Sequence, residues 1–291
     1  MASADRPVPF IPEDLAPGDA KSLELPTGDL EITCIRSNKD PLFTAAYDRL
    51  WAEFGAHHEM EQREVIERRL GWHPALARGD CWLRYEMILL RRRGEFVAVR
   101  DHTAVAIRRE SAARAVVHMS HVLVEPAWRR TGLTGWLRAW PIQTARACLA
   151  VASPPANSPI TLVAEMEHPD ERFPNRMIRL KSYEKAGFKK VDPLAVKYFQ
   201  PDFRFPAEID ASGGPKPLPF GLIVRRVGRE AEDSIQGEEI RDIVTALYQM
   251  YGTGFRAQDM AGLWEGLCDY PAADAEVALV PPTRQGGLGL R

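Results

Sequence analysis

The run from Val116 to Leu137 constrains this chain more than any other stretch. Residues 116–124 alternate apolar side chains, and Glu125-Pro126-Ala127-Trp128-Arg129-Arg130-Thr131-Gly132-Leu133-Thr134-Gly135-Trp136-Leu137 follows at once. Alternation predicts a strand ending at Val124, and the apolar spacing beyond Gly132 predicts an amphipathic helix. A helix N-terminus leaves several backbone N–H groups without intrahelical partners, and its dipole favours negative charge there. Glycine removes the Cβ that would hold a phosphate away from those amides. The segment reads as a seat for a phosphorylated ligand. It is not a Walker loop, because no Gly-Lys-Ser/Thr follows, and it lacks the Gly-x-Gly-x-x-Gly order of a dinucleotide fold.

The rest of the chain supplies alternating strands and helices. Residues 1–27 hold Pro7, Pro9, Pro12, Pro17 and Pro26 and read as an extended arm. Leu30 to Ile35 predicts a first strand, Leu42 to Phe54 a helix with Phe43, Tyr47, Leu50, Trp51 and Phe54 on one face, and Met60 to Leu70 a second helix. Tyr85 to Leu90, Glu95 to Val99 and Thr103 to Ile107 are β-like runs, with turns expected at Gly94 and at Asp101-His102-Thr103. The helix from Gly132 contains Pro141, where a kink is expected. A loop around Pro154, a strand over Ile160 to Glu167, a helix over Asn175 to Lys185 and a strand over Leu194 to Phe199 complete this part. Residues 201–219 have the proline and glycine content of a linker. Beyond it lie a strand over Gly221 to Arg226, helices over Glu238 to Met250 and Ala257 to Cys268, and an apolar stretch over Val277 to Val280.

At the end of the second β–α unit stands Ser182-Tyr183-Glu184-Lys185-Ala186-Gly187-Phe188. Together with Arg129-x-x-Gly132-x-Thr134, this segment resembles the general-control-related N-acetyltransferase (GNAT) superfamily. Its members carry an Arg/Gln-x-x-Gly-x-Gly/Ala loop after a strand and, further on, a helix ending in a Tyr-Glu-Lys-x-Gly-Phe-like run. The resemblance covers about residues 28–200. It implies an α/β (α+β) fold, with a mixed, mostly antiparallel sheet flanked by helices. Residues 220–291 are then a small C-terminal α/β extension that packs on the core or on a dimer partner.

The resemblance also implies acetyl-CoA as the acyl donor. Its pyrophosphate would sit on the amides of Arg130, Thr131, Gly132, Leu133, Thr134 and Gly135, with Arg129 and Arg130 adding charge. The backbone of Val122, Leu123 and Val124 would pair with the pantetheine arm, and Asn175 resembles a coenzyme-contacting asparagine. Thr134 departs from the family's Gly or Ala and puts a Cβ and a hydroxyl beside the phosphates. Tyr183 matches the tyrosine that protonates the departing thiolate in many members. Glu165 and Glu167, two apart on the predicted strand, point to one face and raise each other's pKa, which suits a general base. His118 and Ser120 on the preceding strand are the alternative. Asp101-His102-Thr103 reads as a polar turn, and His57 and His58 are adjacent, so they do not share a metal ion on a helix.

Composition bounds the rest. A net charge of -2 over 291 residues argues against a nucleic-acid partner. Cys34, Cys81, Cys148 and Cys268 are far apart, which suggests neither a zinc site nor a disulfide framework and fits a reducing cytoplasm. Met1 to Ala20 lacks the pattern of a signal peptide, and no apolar run approaches membrane-spanning length. The expected activity is acetyl transfer to a small-molecule amine or a protein amino group, by direct attack in a ternary complex. A CoA-binding module without catalysis is the rival reading, supported by Thr134 and the C-terminal extension. Transfer from an aminoacyl-tRNA lacks a basic face.

Overall fold

The computed structural model of the chain describes residues 11–25, 28–109, 113–153 and 157–285. The first half builds β1 (Leu30–Ile35), α1 (Phe43–Phe54), α2 (Arg63–Leu70), β2 (Leu76–Arg78), β3 (Cys81–Arg92), β4 (Glu95–Arg108) and β5 (Ala113–Val124). The glycine loop then leads into α3 (Leu133–Ala152), β6 (Ile160–Met166), α4 (Pro174–Lys185) and β7 (Lys189–Val191). The remainder forms β8 (Tyr198–Gln200), α5 (Pro206–Ala211), β9 (Leu218–Arg226), β10 (Ser234–Gln236), α6 (Gly237–Tyr251), α7 (Ala257–Gly266) and β11 (Glu276–Val280).

These strands form one mixed sheet in the order β1-β3-β4-β5-β6-β9-β7-β11-β10, with β2 on β3 and β8 on β9. Among the described residues, β5 and β6 are the parallel pair and the other ladders are antiparallel. Helices cover both faces. On one face α1, α2, α6 and α7 bury Leu50, Ile66, Leu247 and Leu263 against Tyr85, Val99 and Val163. On the other, α3 and α4 bury Leu137, Trp140, Ile142 and Leu180 against Ala98, Ala104 and Leu162. The mostly antiparallel sheet flanked by helices is the fold class the sequence implies.

One local feature departs from the linear pattern. The turn expected at Asp101-His102-Thr103 does not form: β4 runs through it, and all three side chains are buried. His102 lies 2.7 Å from Thr144 Oγ1, which donates to Glu86 Oε2 at 2.8 Å, and Asp101 accepts from Tyr85 and His121. Polar side chains that bond to one another inside a core, here Asp101 and one nitrogen of His102, leave no alternation to read. By contrast the turn at Gly94 is present, with Arg93 at φ 52 and Gly94 at φ 79, the paired positive values of a tight hairpin. Helix α3 continues through Pro141 to Ala152.

The tail enters the sheet rather than only covering it. Strand β9 lies between β6 and β7, pairing Glu165 with Leu222 and Lys190 with Ile223. Within 201–219, whose composition reads as a linker, α5 occupies Pro206–Ala211 and β9 has already begun. The expected strand at Leu194 to Phe199 is reduced to β8, and β7 was not legible beforehand.

The arm is not a free extended segment over residues 11–25. Two 3-10 turns, Pro12–Asp14 and Pro17–Glu24, dock on α3. Asp14 accepts hydrogen bonds from Arg146 at 2.6 and 2.7 Å, and Asp19 binds Arg138. Residues 1–10 and 26–27 of the arm, and 154–156 of the predicted loop, lie outside the described residues.

Candidate active site

The parallel pairing of β5 with β6 runs from Ala115 opposite Ile160 to His118 opposite Val163 and stops there. Strand β5 continues to Val124 and β6 to Met166 without pairing each other, so the sheet splays open. A cavity of about 830 Å³ occupies the splay and reaches both faces of the sheet. At its apex β5 carries a bulge: His118 and His121 pair with Thr103 and Asp101, leaving two residues of β5 opposite His102 alone. A bulge re-aims side chains and ends regular pairing, and here it turns Ser120 into the cavity.

The glycine loop lies on the α3 side. Arg130 at φ 65 and Gly132 at φ 99 reverse the chain, and Gly132 caps α3, its carbonyl accepting from the amides of Gly135 and Trp136. Arg129 Nε holds the carbonyl of Val124 at 3.2 Å, fixing the strand end relative to the loop. Arg129, Arg130, Gly132, Thr134 and Gly135 line the cavity, as do Val122, Leu123, Val124 and Asn175. Thr131 and Leu133 do not: the Thr131 hydroxyl donates to the Trp128 carbonyl at 2.8 Å, and the Leu133 side chain is buried in the core. The walls on this side also include Lys21, Arg138 and Lys185.

Tyr183 sits at the C-terminal end of α4, half-buried, with its ring edge-on to Phe188 at 4.9 Å, and borders the same cavity. One placement thus packs the ring on Phe188 and sets Tyr183 at the cavity wall.

The two glutamates are not a coupled pair. Strand β6 ends at Met166, and Glu167 turns to the arginines of α4, 2.6 Å from Arg179 and 3.4 Å from Arg176. Glu165 points inward and is saturated with donors. It accepts from His118 Nε2 at 2.9 Å, Gln200 Nε2 at 3.0 Å, Tyr251 Oη at 2.5 Å and the Tyr198 hydroxyl. Burial alone would raise its pKa, but the hydrogen bonds from His118, Tyr198 and Tyr251 hold it below the ordinary glutamate value. A carboxylate so stabilised is a poor base and a good orienter.

His118 connects that carboxylate to the cavity. Its Nδ1 lies 3.0 Å from Ser120 Oγ. An ionised Glu165 keeps the proton of the imidazole on Nε2, which leaves Nδ1 as the acceptor for the serine O–H. Ser120, His118 and Glu165 therefore form one proton chain that opens on the cavity.

His121, three residues on, is a different kind of histidine. Its Nδ1 meets Asp101 Oδ1 at 2.9 Å and its Nε2 meets the Glu59 carbonyl at 2.8 Å. Burial works against its charge, but Asp101 outweighs burial and raises His121 to about 9, while Asp101 falls to about 2. With both nitrogens donating, it is a fixed cation within the wall. On this face of the sheet the cavity is bounded by Glu53, Glu59 and Glu61 and by Phe54, Phe203, Phe220 and Tyr251. Glu61 is paired with buried Arg69 and His121 with Asp101, so the cavity is polarised by the rest: basic toward α3, and acidic through Glu53 and Glu59, with aromatic walls, toward α1 and α6.

Sequence reasoning named the loop, Tyr183, Glu165 and, as the alternative, His118 with Ser120. It missed Tyr198, Gln200 and Tyr251, which come from distant segments and carry no local signal. It also missed Arg138, whose signal was available: a lone charge inside the apolar run Trp136-Leu137-Arg138-Ala139-Trp140.

No protein-family model matches the chain, and no curated protein does. Three solved structures of acetyltransferases show partial likeness. An aminoglycoside acetyltransferase, meta-AAC0020 from an uncultured soil metagenomic sample, in complex with trehalose, is 12% identical at a TM-score of 0.29, over 53% of this chain and 87% of its own. The same enzyme in complex with sisomicin is 10% identical at a TM-score of 0.30, with the same coverage. A GCN5-related N-acetyltransferase from Sphaerobacter thermophilus is 20% identical at a TM-score of 0.32, over 55% of this chain and 44% of its own.

Proposed function

We propose that this chain is an acyl-CoA-dependent N-acyltransferase that moves an acetyl group from acetyl-CoA to a primary amine by direct attack. The observation that carries the reading is the single cavity in which a cationic glycine loop, the Tyr183 phenol and the Ser120–His118–Glu165 chain meet. The donor's phosphates suit the α3 end, where helix amides and Arg129 and Arg130 supply positive potential. The pantetheine amides suit the edge of Val122 to Val124, which β6 leaves unpaired.

The acceptor end is acidic and aromatic, which favours a cationic amine with an apolar body. The bound ammonium first gives one proton to Ser120 Oγ as the serine proton moves to His118 Nδ1, with Glu165 stabilising the imidazolium. The freed amine then attacks the thioester carbon, and as the C–S bond breaks its second proton replaces the one that Tyr183 gives up. Tyr183 donates its proton to the departing sulfur. General acid–base steps of this kind contribute about 10²–10⁴ in rate.

Calorimetric titration with acetyl-CoA, beside Thr134→Glu, tests the donor site. A glutamate in the first turn of a helix stabilises the helix, so lost binding would reflect charge repulsion in the seat and not unfolding. CoA release measured with an aromatic monoamine and with a polyamine tests the transfer. No saturable binding by the intact chain would end this reading.

A further inference from the structure

The two glycines of the anion seat face this chain's own N-terminal segment. A Cβ on Gly132 would stand 2.7 Å from the Lys21 carbonyl oxygen, and one on Gly135 would collide with Ser22 Oγ and lie 2.7 Å from the Asp19 side chain. Ser22 Oγ donates to the Gly132 carbonyl at 2.6 Å. The Asp19 carboxylate accepts two bonds from Arg138, Nε at 3.0 Å and Nη2 at 2.5 Å. Arg138 projects from the second turn of α3 toward α4, its Nη1 3.5 Å from Ser182 Oγ, and its side chain is 9% exposed. An anionic group is therefore already seated between α3 and α4, on an arginine that the proton chemistry does not use.

We propose that Asp19 stands in for a cofactor phosphate and that Arg138 is a phosphate-binding residue: when the pyrophosphate enters, it takes over Arg138 and the segment Pro17–Glu24 lifts from Gly132 and Gly135. The inference rests on the acyl-CoA reading and adds to it a residue and an internal competitor. Its physical basis is the match between the two anions. A guanidinium with two N–H groups on a carboxylate presents the same fork to two phosphate oxygens.

Charge count favours the exchange. Lys21, Arg129, Arg130, Arg138 and Lys185 line this end of the cavity against one aspartate, a surplus better met by a doubly charged pyrophosphate. The outer side of the docked segment faces solvent, with Leu23 59% exposed and Lys21 and Glu24 exposed, so its hold on the core runs through Asp19 and Ser22. A chain that must first release its own carboxylate binds cofactor with an affinity reduced by the fraction of open molecules.

The test uses the full chain and CoA itself, read by calorimetry and by the rate of tryptic cleavage after Lys21. Asp19→Asn is expected to tighten CoA binding about fivefold to tenfold, Arg138→Gln to weaken it at least tenfold, and CoA to speed cleavage of the unmodified chain several-fold. The proteolysis arm needs no variant, so a poorly folded mutant does not obscure it. CoA binding that Asp19→Asn weakens or leaves unchanged, or cleavage that CoA slows, would overturn the exchange while leaving the acyltransferase reading intact. Absence of CoA binding by both the unmodified chain and Asp19→Asn would remove both.

Discussion

Tyr251, the last residue of α6, donates its hydroxyl to Oε2 of Glu165 at 2.5 Å across 86 residues of sequence. The bond ties the C-terminal half to the Ser120–His118–Glu165 chain. Tyr251→Phe leaves Glu165 with His118, Tyr198 and Gln200 as donors and removes one bond to a charged group, worth about 1.5–3 kcal/mol. Turnover is expected to fall roughly tenfold, with KM for acetyl-CoA unchanged. Glu165→Gln should cost more, because the imidazole loses the charge that fixes its proton on Nε2. Steady-state kinetics across pH 5–9 separates the two, and equal loss in both variants would contradict the orienting role.

Tyr183→Phe keeps the ring that packs on Phe188 and removes only the hydroxyl, the proton donor of the proposed reaction. Turnover should drop by about two orders of magnitude or more while CoA affinity stays within twofold. A parallel loss of affinity, seen by calorimetry, would mark the hydroxyl as a binding group instead.

Stability should peak near neutral pH because two buried histidines are shifted in opposite directions. His121 is raised to about 9 in the fold, chiefly by Asp101 working against burial, so its contribution is complete below the unfolded value near 6.5 and disappears as pH rises through 9. That limb amounts to about 3 kcal/mol. His102 is lowered to about 3 by burial and by Arg100, so its neutral form stabilises the fold above 6.5 and the contribution is lost as pH falls toward 3. Urea midpoints for His121→Asn should flatten the alkaline limb alone, and those for His102→Gln the acid limb alone.

Gly135→Ala introduces a methyl group where Ser22 and Asp19 already lie. Overpacking of this size costs about 1–3 kcal/mol. The strain is relieved by undocking the 17–24 segment, so cleavage after Lys21 should accelerate while α3 keeps its helicity by circular dichroism. Thr134→Ala, one residue away, removes atoms and should leave cleavage unchanged.

The sequence was most informative where function and periodicity coincide in a short window. The Val116–Leu137 run located the strand, the loop and the helix, and the Tyr183–Phe188 run located the end of α4. It was least informative where polar groups are neutralised at long range. Asp101 and His102 looked like a turn because their partners, His121, Tyr85 and Thr144, are 16 to 42 residues away. Glu165 and Glu167 looked equivalent because spacing records which face a side chain takes and not where the strand stops. The prolines of 7–26 suggested an extended arm, since the arginines that hold Asp14 and Asp19 belong to α3. Insertion of β9 into the sheet left no trace in local pattern at all.

That insertion bears on how the molecule is made. A nascent chain that has emerged only to Gln200 holds β6 with one long edge unpaired, and Glu165 there lacks Tyr251. The sheet closes only after Leu218–Arg226 arrives and threads between strands synthesised on either side of α4. Such late, non-local pairing is slow and leaves an exposed edge in the interval. Expression of residues 28–200 alone should therefore yield an aggregating fragment, and pulse-labelled hydrogen exchange should find β6 and β9 protected in the same, final kinetic phase.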